Sequence, residues 1–272
     1  MKFSEYKDIC QKGDSENYIL DKYIYRKISI LGSITAIKLG LSPNFITFLS
    51  LISSIGSLFF LSSNESINLY IGTSLIFAYH YLDHVDGEVA RYRIHNGTLQ
   101  KNLRGQYFDV LCHSYSINLM LFSTAYALSN LYNSDYLILL GMISMVGYSS
   151  FPTLVASKVM IGSIYNNPEN ILSDSNSLLL KNLERKDLQV KATNANFFTK
   201  IKLKKLITEI VAYPGILSVL MIATLIDAFL GEIYLHSNII NCRLIVIIGG
   251  SLMHLLHMPY KALKWMRQFE KI

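Results

Sequence analysis

Asp83-His84-Val85-Asp86-Gly87-Glu88-Val89-Ala90-Arg91, followed after a spacer of thirteen residues by Gly105-Gln106-Tyr107-Phe108-Asp109-Val110-Leu111-Cys112-His113, is the stretch that organises the chain. It follows an apolar run from Leu69 to Leu82. Asp83, Asp86, Gly87 and Ala90 fall at i, i+3, i+4 and i+7, the spacing of one helix face. Gly105, Asp109 and His113 repeat that register at i, i+4 and i+8 and predict a second helix. Two such helices face to face bring three carboxylates and an imidazole to one point. Like charges that close do not all stay ionised without a cation between them, and an oxygen-rich cluster suits a hard divalent ion. Any single Asp here reads more simply as a solvated helix end; the set reads as a site. Gly87 and Gly105 lower helix propensity, which makes sense where something bulky approaches the backbone. Arg91, one turn on, is a forked donor suited to phosphate.

These residues resemble the signature of the CDP-alcohol phosphotransferase family, D-x2-D-G-x2-A-R, a spacer, then G-x3-D-x3-D. Asp83, Asp86, Gly87, Ala90 and Arg91 match its first half, Gly105 and Asp109 its second. There are two departures. The spacer is longer than the eight or nine residues usual in the family, and His113 stands where the last Asp belongs. The resemblance implies transfer of a substituted phosphate from a CDP-linked donor to a lipid or polar alcohol acceptor, with release of CMP. It implies a pair of Mg²⁺ or Mn²⁺ ions held by Asp83, Asp86, Asp109 and His113, with Asp109 and His113 as catalytic groups. Gly87, Ala90, Arg91 and Gly105 would admit the nucleotide and hold its phosphates. In the family the last Asp binds metal and deprotonates the acceptor. A neutral imidazole there is a competent general base at neutral pH. As a ligand it lowers the negative charge of the cluster and favours Mn²⁺ or Zn²⁺ over Mg²⁺. A third reading is an inactive relative.

Composition sets the class. Of 272 residues, 51% are hydrophobic and only 16% charged, and mean hydropathy is positive. An all-α polytopic membrane protein follows, with membrane lipids as neighbours and nothing that points to nucleic acid. Cys10, Cys112 and Cys242 lie far apart without metal-ligand spacing, and Cys112 reads as packing. The arm from Met1 to Gly13 is polar and is not a signal peptide. From Asn17 to Ile30 apolar residues alternate with Asp21, Lys22, Arg26 and Lys27, the pattern of a basic amphipathic helix on the membrane surface or packed on the protein's cytosolic face. Six apolar segments near 44–62, 67–91, 106–129, 136–162, 207–230 and 239–260 are each long enough to cross a bilayer. The domains are thus an arm with interfacial helix (1–43), a six-helix bundle (44–262) with one long loop (163–206), and a tail (263–272). Pro43 suits a helix start. Asn44 and Thr47 beside it resemble a Pro-Asn-x2-Thr found there in the family, or mark the start and no more.

Ser63–Ile67, Asn130–Asp135 and Gly231–Asn238 contain no Lys or Arg, and all basic residues but Arg243 lie in or at the edge of the other connections and the two ends. The positive-inside rule then puts both termini and the Asp83–His113 stretch on the cytoplasmic side, in a bacterial inner membrane; a homodimer is left open. Lys200, Lys202, Lys204 and Lys205 read as a positive-inside anchor or as a clamp for anionic lipid or phosphate. Lys158 can snorkel to the interface or bind the acceptor. Glu209 sits in the first turn of the fifth span, where an anion is favoured, and Tyr213-Pro214-Gly215 predicts a kink. His254 and His257 share a face of the sixth span, for interhelical hydrogen bonding or for the acceptor. Three classes compete: the transferase; a catalytically decayed scaffold or binding protein on the same fold; and a transporter with intramembrane acids. Against the last, the acids gather at one edge and no repeat relates the two halves. Release of CMP separates the first from the others.

Overall fold

The computed structural model describes residues 3–11, 24–99, 103–145, 215–231, 233–235 and 238–269. These residues are helical apart from one small hairpin. In order they form α1 (Phe3–Cys10), α2 (Arg26–Lys38), α3 (Pro43–Leu61), α4 (Ser66–His95), α5 (Leu103–Tyr132), α6 (Tyr136–Met145), α7 (Gly215–Leu230) and α8 (Cys242–Phe269). Between α7 and α8, β1 (Ile233–Leu235) pairs antiparallel with β2 (Asn238–Ile240), Tyr234 opposite Ile239.

The start of α3 is written locally. The Ser42 side chain accepts the Phe45 backbone N–H at 3.2 Å, and Pro43 fills the first turn, where its missing N–H is harmless. The helix is inverted relative to a soluble protein. Its buried face carries Thr47, Ser50, Ser54 and Ser57, while Phe45, Phe48, Ile52, Ile55 and Phe59 point outward, Phe59 with 73% of its surface exposed. Small residues inward and large apolar ones outward is the arrangement that lets helices approach closely in lipid. The buried hydroxyls stay satisfied by bonding back to their own helix, Ser50 to the Thr47 carbonyl (2.7 Å) and Ser57 to that of Ser54 (2.6 Å). Among the described residues α3 is the one helix long and apolar enough to cross a membrane.

α3, α4 and α5 run up, down and up through short connections, and each 30-residue helix of the α4–α5 pair is about 45 Å long. Their shared core is Leu61, Ile76, Tyr79, Ile117, Met120 and Leu121, closed by Leu217 and Leu220 of α7 and Ile247 of α8. α2 packs on α4 so tightly at Gly32 that a side chain there would strike the Tyr81 hydroxyl. The turn from α2 to α3 is clamped by Arg93 of α4, which donates to the Gly40 and Leu41 carbonyls at 2.7 and 2.9 Å.

At the end of the bundle where α4 begins, Asp227 and Arg243 form a buried ion pair, 2.9 Å from Nε to Oδ2. The same carboxylate accepts the backbone N–H groups of Cys242 and Arg243 (2.7 and 3.0 Å) and so caps α8. Arg243 reaches on to Asn64 Oδ1 at 3.1 Å.

Several boundaries differ from expectation. α2 begins at Arg26, inside the Asn17–Ile30 stretch read as an interfacial helix, and runs eight residues past Ile30, because Ser29, Ser33 and Ala36 complete its buried face; residues 12–23 lie outside the described ones. α4 continues beyond 91 through Arg93 and His95, and α8 continues to Phe269, so the expected tail is largely helix. Gly231–Asn238, expected as the connection between the fifth and sixth spans, holds β1 and the first residue of β2, and α8 begins at Cys242 rather than near 239. The remainder of the fourth span, the 163–206 loop, Lys158, Glu209 and the kink at Tyr213-Pro214 fall outside the described residues.

Candidate active site

The two halves of the motif lie on antiparallel neighbours, Asp83 and Asp86 in the last half of α4 and Asp109 and His113 in the first half of α5. The connection between the helices therefore brings them level. His113 is the centre. Its Nε2 is 3.0 Å from Asp83 Oδ1 and 3.0 Å from Asp109 Oδ1, and its Nδ1 is 2.5 Å from the Tyr79 hydroxyl. One ring hydrogen cannot serve two carboxylates, and the buried Oδ1 of Asp109 receives no hydrogen bond. One donor atom from each of Asp83, Asp109 and His113 lies within 4.8 Å of the other two. Two carboxylate oxygens and an imidazole nitrogen that close, one oxygen lacking a donor, fit a divalent cation of the Mn²⁺ or Zn²⁺ type and admit Mg²⁺.

Asp86 stands beside this trio rather than in it. It is buried, and its Oδ2 accepts the Thr47 hydroxyl of α3 at 2.5 Å. Thr47 also bonds the Pro43 carbonyl (3.1 Å), which holds its rotamer. The Pro-Asn-x2-Thr stretch is therefore more than a helix start: its Thr fixes a motif carboxylate, and Asn44 is exposed.

Arg91 folds back over its own helix. A Cβ on Gly87 would lie 3.3 Å from the guanidinium Nη1, so the glycine makes room for Arg91. The Arg91 Nε donates to the Cys10 carbonyl at the end of α1. Beside it, Glu88 is fully buried yet well provided, accepting from Ser29 (2.8 Å), Ser33 (2.6 Å) and Gln11 (3.1 Å). A buried carboxylate is tolerated when its oxygens are satisfied in this way. Burial pushes the Cys10 thiol up to about 11, with the Glu88 charge adding to the rise and Arg91 opposing it.

Tyr79 and Glu88 were not legible as site residues. Tyr79 lies one turn before Asp83 and shares its face, which is the only local signal; Glu88 occupies a variable position inside the motif. His84 stacks on Tyr25 at 5.3 Å and donates from Nδ1 to the His80 carbonyl at 2.9 Å. Gly105 lies on α5 one turn before Asp109, Ala90 is half-buried on α4, and His254 and His257 lie on the α8 backbone.

Comparison with curated proteins finds no match. The model of the CDP-alcohol phosphatidyltransferase family matches residues 40–165, the segment that carries Thr47, both halves of the motif and His113, and over that segment the chain is similar to this family of transferases of phosphate-linked groups.

Proposed function

We propose that the protein is an integral-membrane, metal-dependent transferase that moves a substituted phosphate from a CDP-linked donor to an alcohol and releases CMP. The observation that carries this reading is the convergence of Asp83, Asp109 and His113, with Asp86 one turn away. In the reaction the acceptor oxygen bonds to the phosphorus bearing the substituent. The bond from that phosphorus to the bridging oxygen breaks, CMP leaves with the electron pair, and the acceptor proton passes to a base. Divalent ions at the acidic cluster would neutralise the diphosphate and orient the attacking and leaving oxygens. Asp83, Asp109 and His113 supply the donor atoms, and Asp86, kept in place by Thr47, completes the acidic wall. Arg91, beside Gly87, would hold a donor phosphate, and Gly105 and Ala90 would keep the nucleotide's approach clear. His113 takes the part of the missing Asp, as ligand or as base.

Six spans and a cytoplasmic site belong to the same proposal. The inverted polarity of α3 supports it, as do apolar helices α6 and α7 and the apolar start of α8. α4 and α5, of 30 residues each, are long enough to span. The decisive experiment incubates the purified protein in detergent with a panel of CDP-linked donors and alcohols, with Mg²⁺ or Mn²⁺, and scores CMP. Donor-dependent CMP that disappears in EDTA is expected. Full turnover in EDTA defeats the metal-dependent mechanism, and no CMP from any pair would return the chain to the class of scaffolds.

A further inference from the structure

We propose that Tyr79 is a positioning residue for metal binding, its hydroxyl setting both the ring orientation and the proton of His113 so that Nε2 presents a lone pair between Asp83 and Asp109. The proposal rests on the divalent-ion reading above and adds to it a residue and a commitment: His113 is a ligand through Nε2.

Both nitrogens of the ring are engaged. Nε2 faces two acceptors, Asp83 Oδ1 and Asp109 Oδ1 at 3.0 Å each, and Nδ1 faces the Tyr79 hydroxyl at 2.5 Å. With no cation, Nε2 carries the hydrogen that faces the carboxylates, and in the neutral ring Nδ1 then accepts from the tyrosine. An imidazole that offers Nε2 to a cation must carry its proton on Nδ1, which then donates to the tyrosine oxygen. A hydroxyl is both donor and acceptor, so it serves either tautomer without moving. A phenylalanine ring would serve neither. Tyr79 is itself fixed: it is wholly buried in the core formed by α3, α4, α5 and α7, and it meets the His113 ring edge-on, 6.0 Å between centroids at 85°. Its place one turn before Asp83 lets α4 aim a ligand and the ligand's partner together. An Asp at 113 would have no second nitrogen to orient, so the need for Tyr79 follows from the histidine.

The test uses Mn²⁺ as the probe on the full-length protein in detergent, with affinity from the free-ion EPR signal and imidazole coordination from ¹⁴N coupling in pulsed EPR. The parent is expected to bind Mn²⁺ with nitrogen coupling. Tyr79→Phe should lose roughly 10–100-fold in affinity, the usual cost of removing a group that orients a metal-bound imidazole. In a His113→Asp background the same change should alter affinity by no more than about twofold, the scatter expected of uncoupled sites. Equal losses in both backgrounds would mean that Tyr79 only packs, and no loss in either would mean that it has no part; each overturns the proposal. Tyr79→Gln, which returns a donor and an acceptor without the ring, should bind more tightly than Tyr79→Leu, and the opposite order overturns the proposal even if Tyr79→Phe does not fold. A parent that binds no Mn²⁺ overturns the metal site and the proposal together, whereas a parent that binds it without nitrogen coupling overturns the proposal alone.

Discussion

Thr47 of α3 gives its hydroxyl hydrogen to Asp86 of α4 at 2.5 Å, inside the bundle and one turn from the residues that surround His113. Of the described hydrogen bonds it is the one that joins α3 to a motif carboxylate. Thr47→Val keeps the shape and removes the donor, leaving a buried carboxylate oxygen short of a partner, which costs about 1–3 kcal/mol. Turnover should fall with stability, and Thr47→Ser should recover most of both. CMP release and thermal unfolding measured on the same preparations check this; a Thr47→Val protein as active and as stable as the parent would show the bond to be incidental.

His113→Ala removes a base or ligand from the cluster and should cost roughly 10²–10⁴ in rate, the range typical of losing a general acid–base group. His113→Asp restores a hard oxygen ligand and should keep partial activity with metal preference moved toward Mg²⁺. Parent-like turnover of His113→Ala would assign His113 to packing and send the search for the base to Glu209, His254 and His257.

The Asp227–Arg243 pair should matter for stability and not for chemistry. Replacing Arg243 by Met strands a buried carboxylate, and breaking such a pair costs roughly 3–5 kcal/mol. The exchange Asp227→Arg with Arg243→Asp should not restore the loss, because Asp227 also accepts the N–H groups of Cys242 and Arg243. Thermal unfolding in detergent reads both, and full rescue by the exchange would reduce the knot to its charges.

Cys10 is predicted to be a slow thiol. Its pKa rises from 9.0 to about 11 through burial, so the thiolate that alkylating reagents need is scarce at pH 8. The proton is held more tightly folded than unfolded. The site therefore contributes its full stability below pH 9 and loses it as the pH climbs toward 11. Maleimide labelling of Cys10 in a background lacking Cys112 and Cys242 should be slow at pH 8 and faster once the arm is loosened by Glu88→Ala. Rapid labelling of the folded parent would contradict the burial.

Helix directions give the topology test its geometry. Position 65 precedes α4 and 133 follows α5, so both lie at one end of that pair, and position 96 lies at the other, about 45 Å away. Single cysteines at 65 and 133 should react with an impermeant external reagent, and those at 96 and 185 only after the membrane is opened. External labelling at 96 would reverse the orientation.

Much of this was written locally. Helix periodicity put Asp83 and Asp86 on one face and Gly105, Asp109 and His113 on another, and the structure keeps both registers on α4 and α5. Hydropathy located α3 to within a residue, because the Ser42 cap and Pro43 fix its start without help from elsewhere. The departure at His113 could also be read from sequence, since it breaks a fixed pattern.

What the sequence could not determine is which side chain meets which across helices. Tyr79, Thr47 and Glu88 stand 34, 39 and 55 to 77 residues from the partners that define them, and no periodicity carries information over such distances. Arg91 read as a forked hydrogen-bond donor suited to phosphate, and its place depends on the end of α1 and on the space left by Gly87. Arg243 was the single basic residue out of place under the positive-inside rule. In the structure it is buried and paired with Asp227, a partner that charge counting along the sequence does not reveal. Local spacing decides which residues share a face; only the packed helices decide what that face is turned toward, because burial and pairing are properties of neighbours in space.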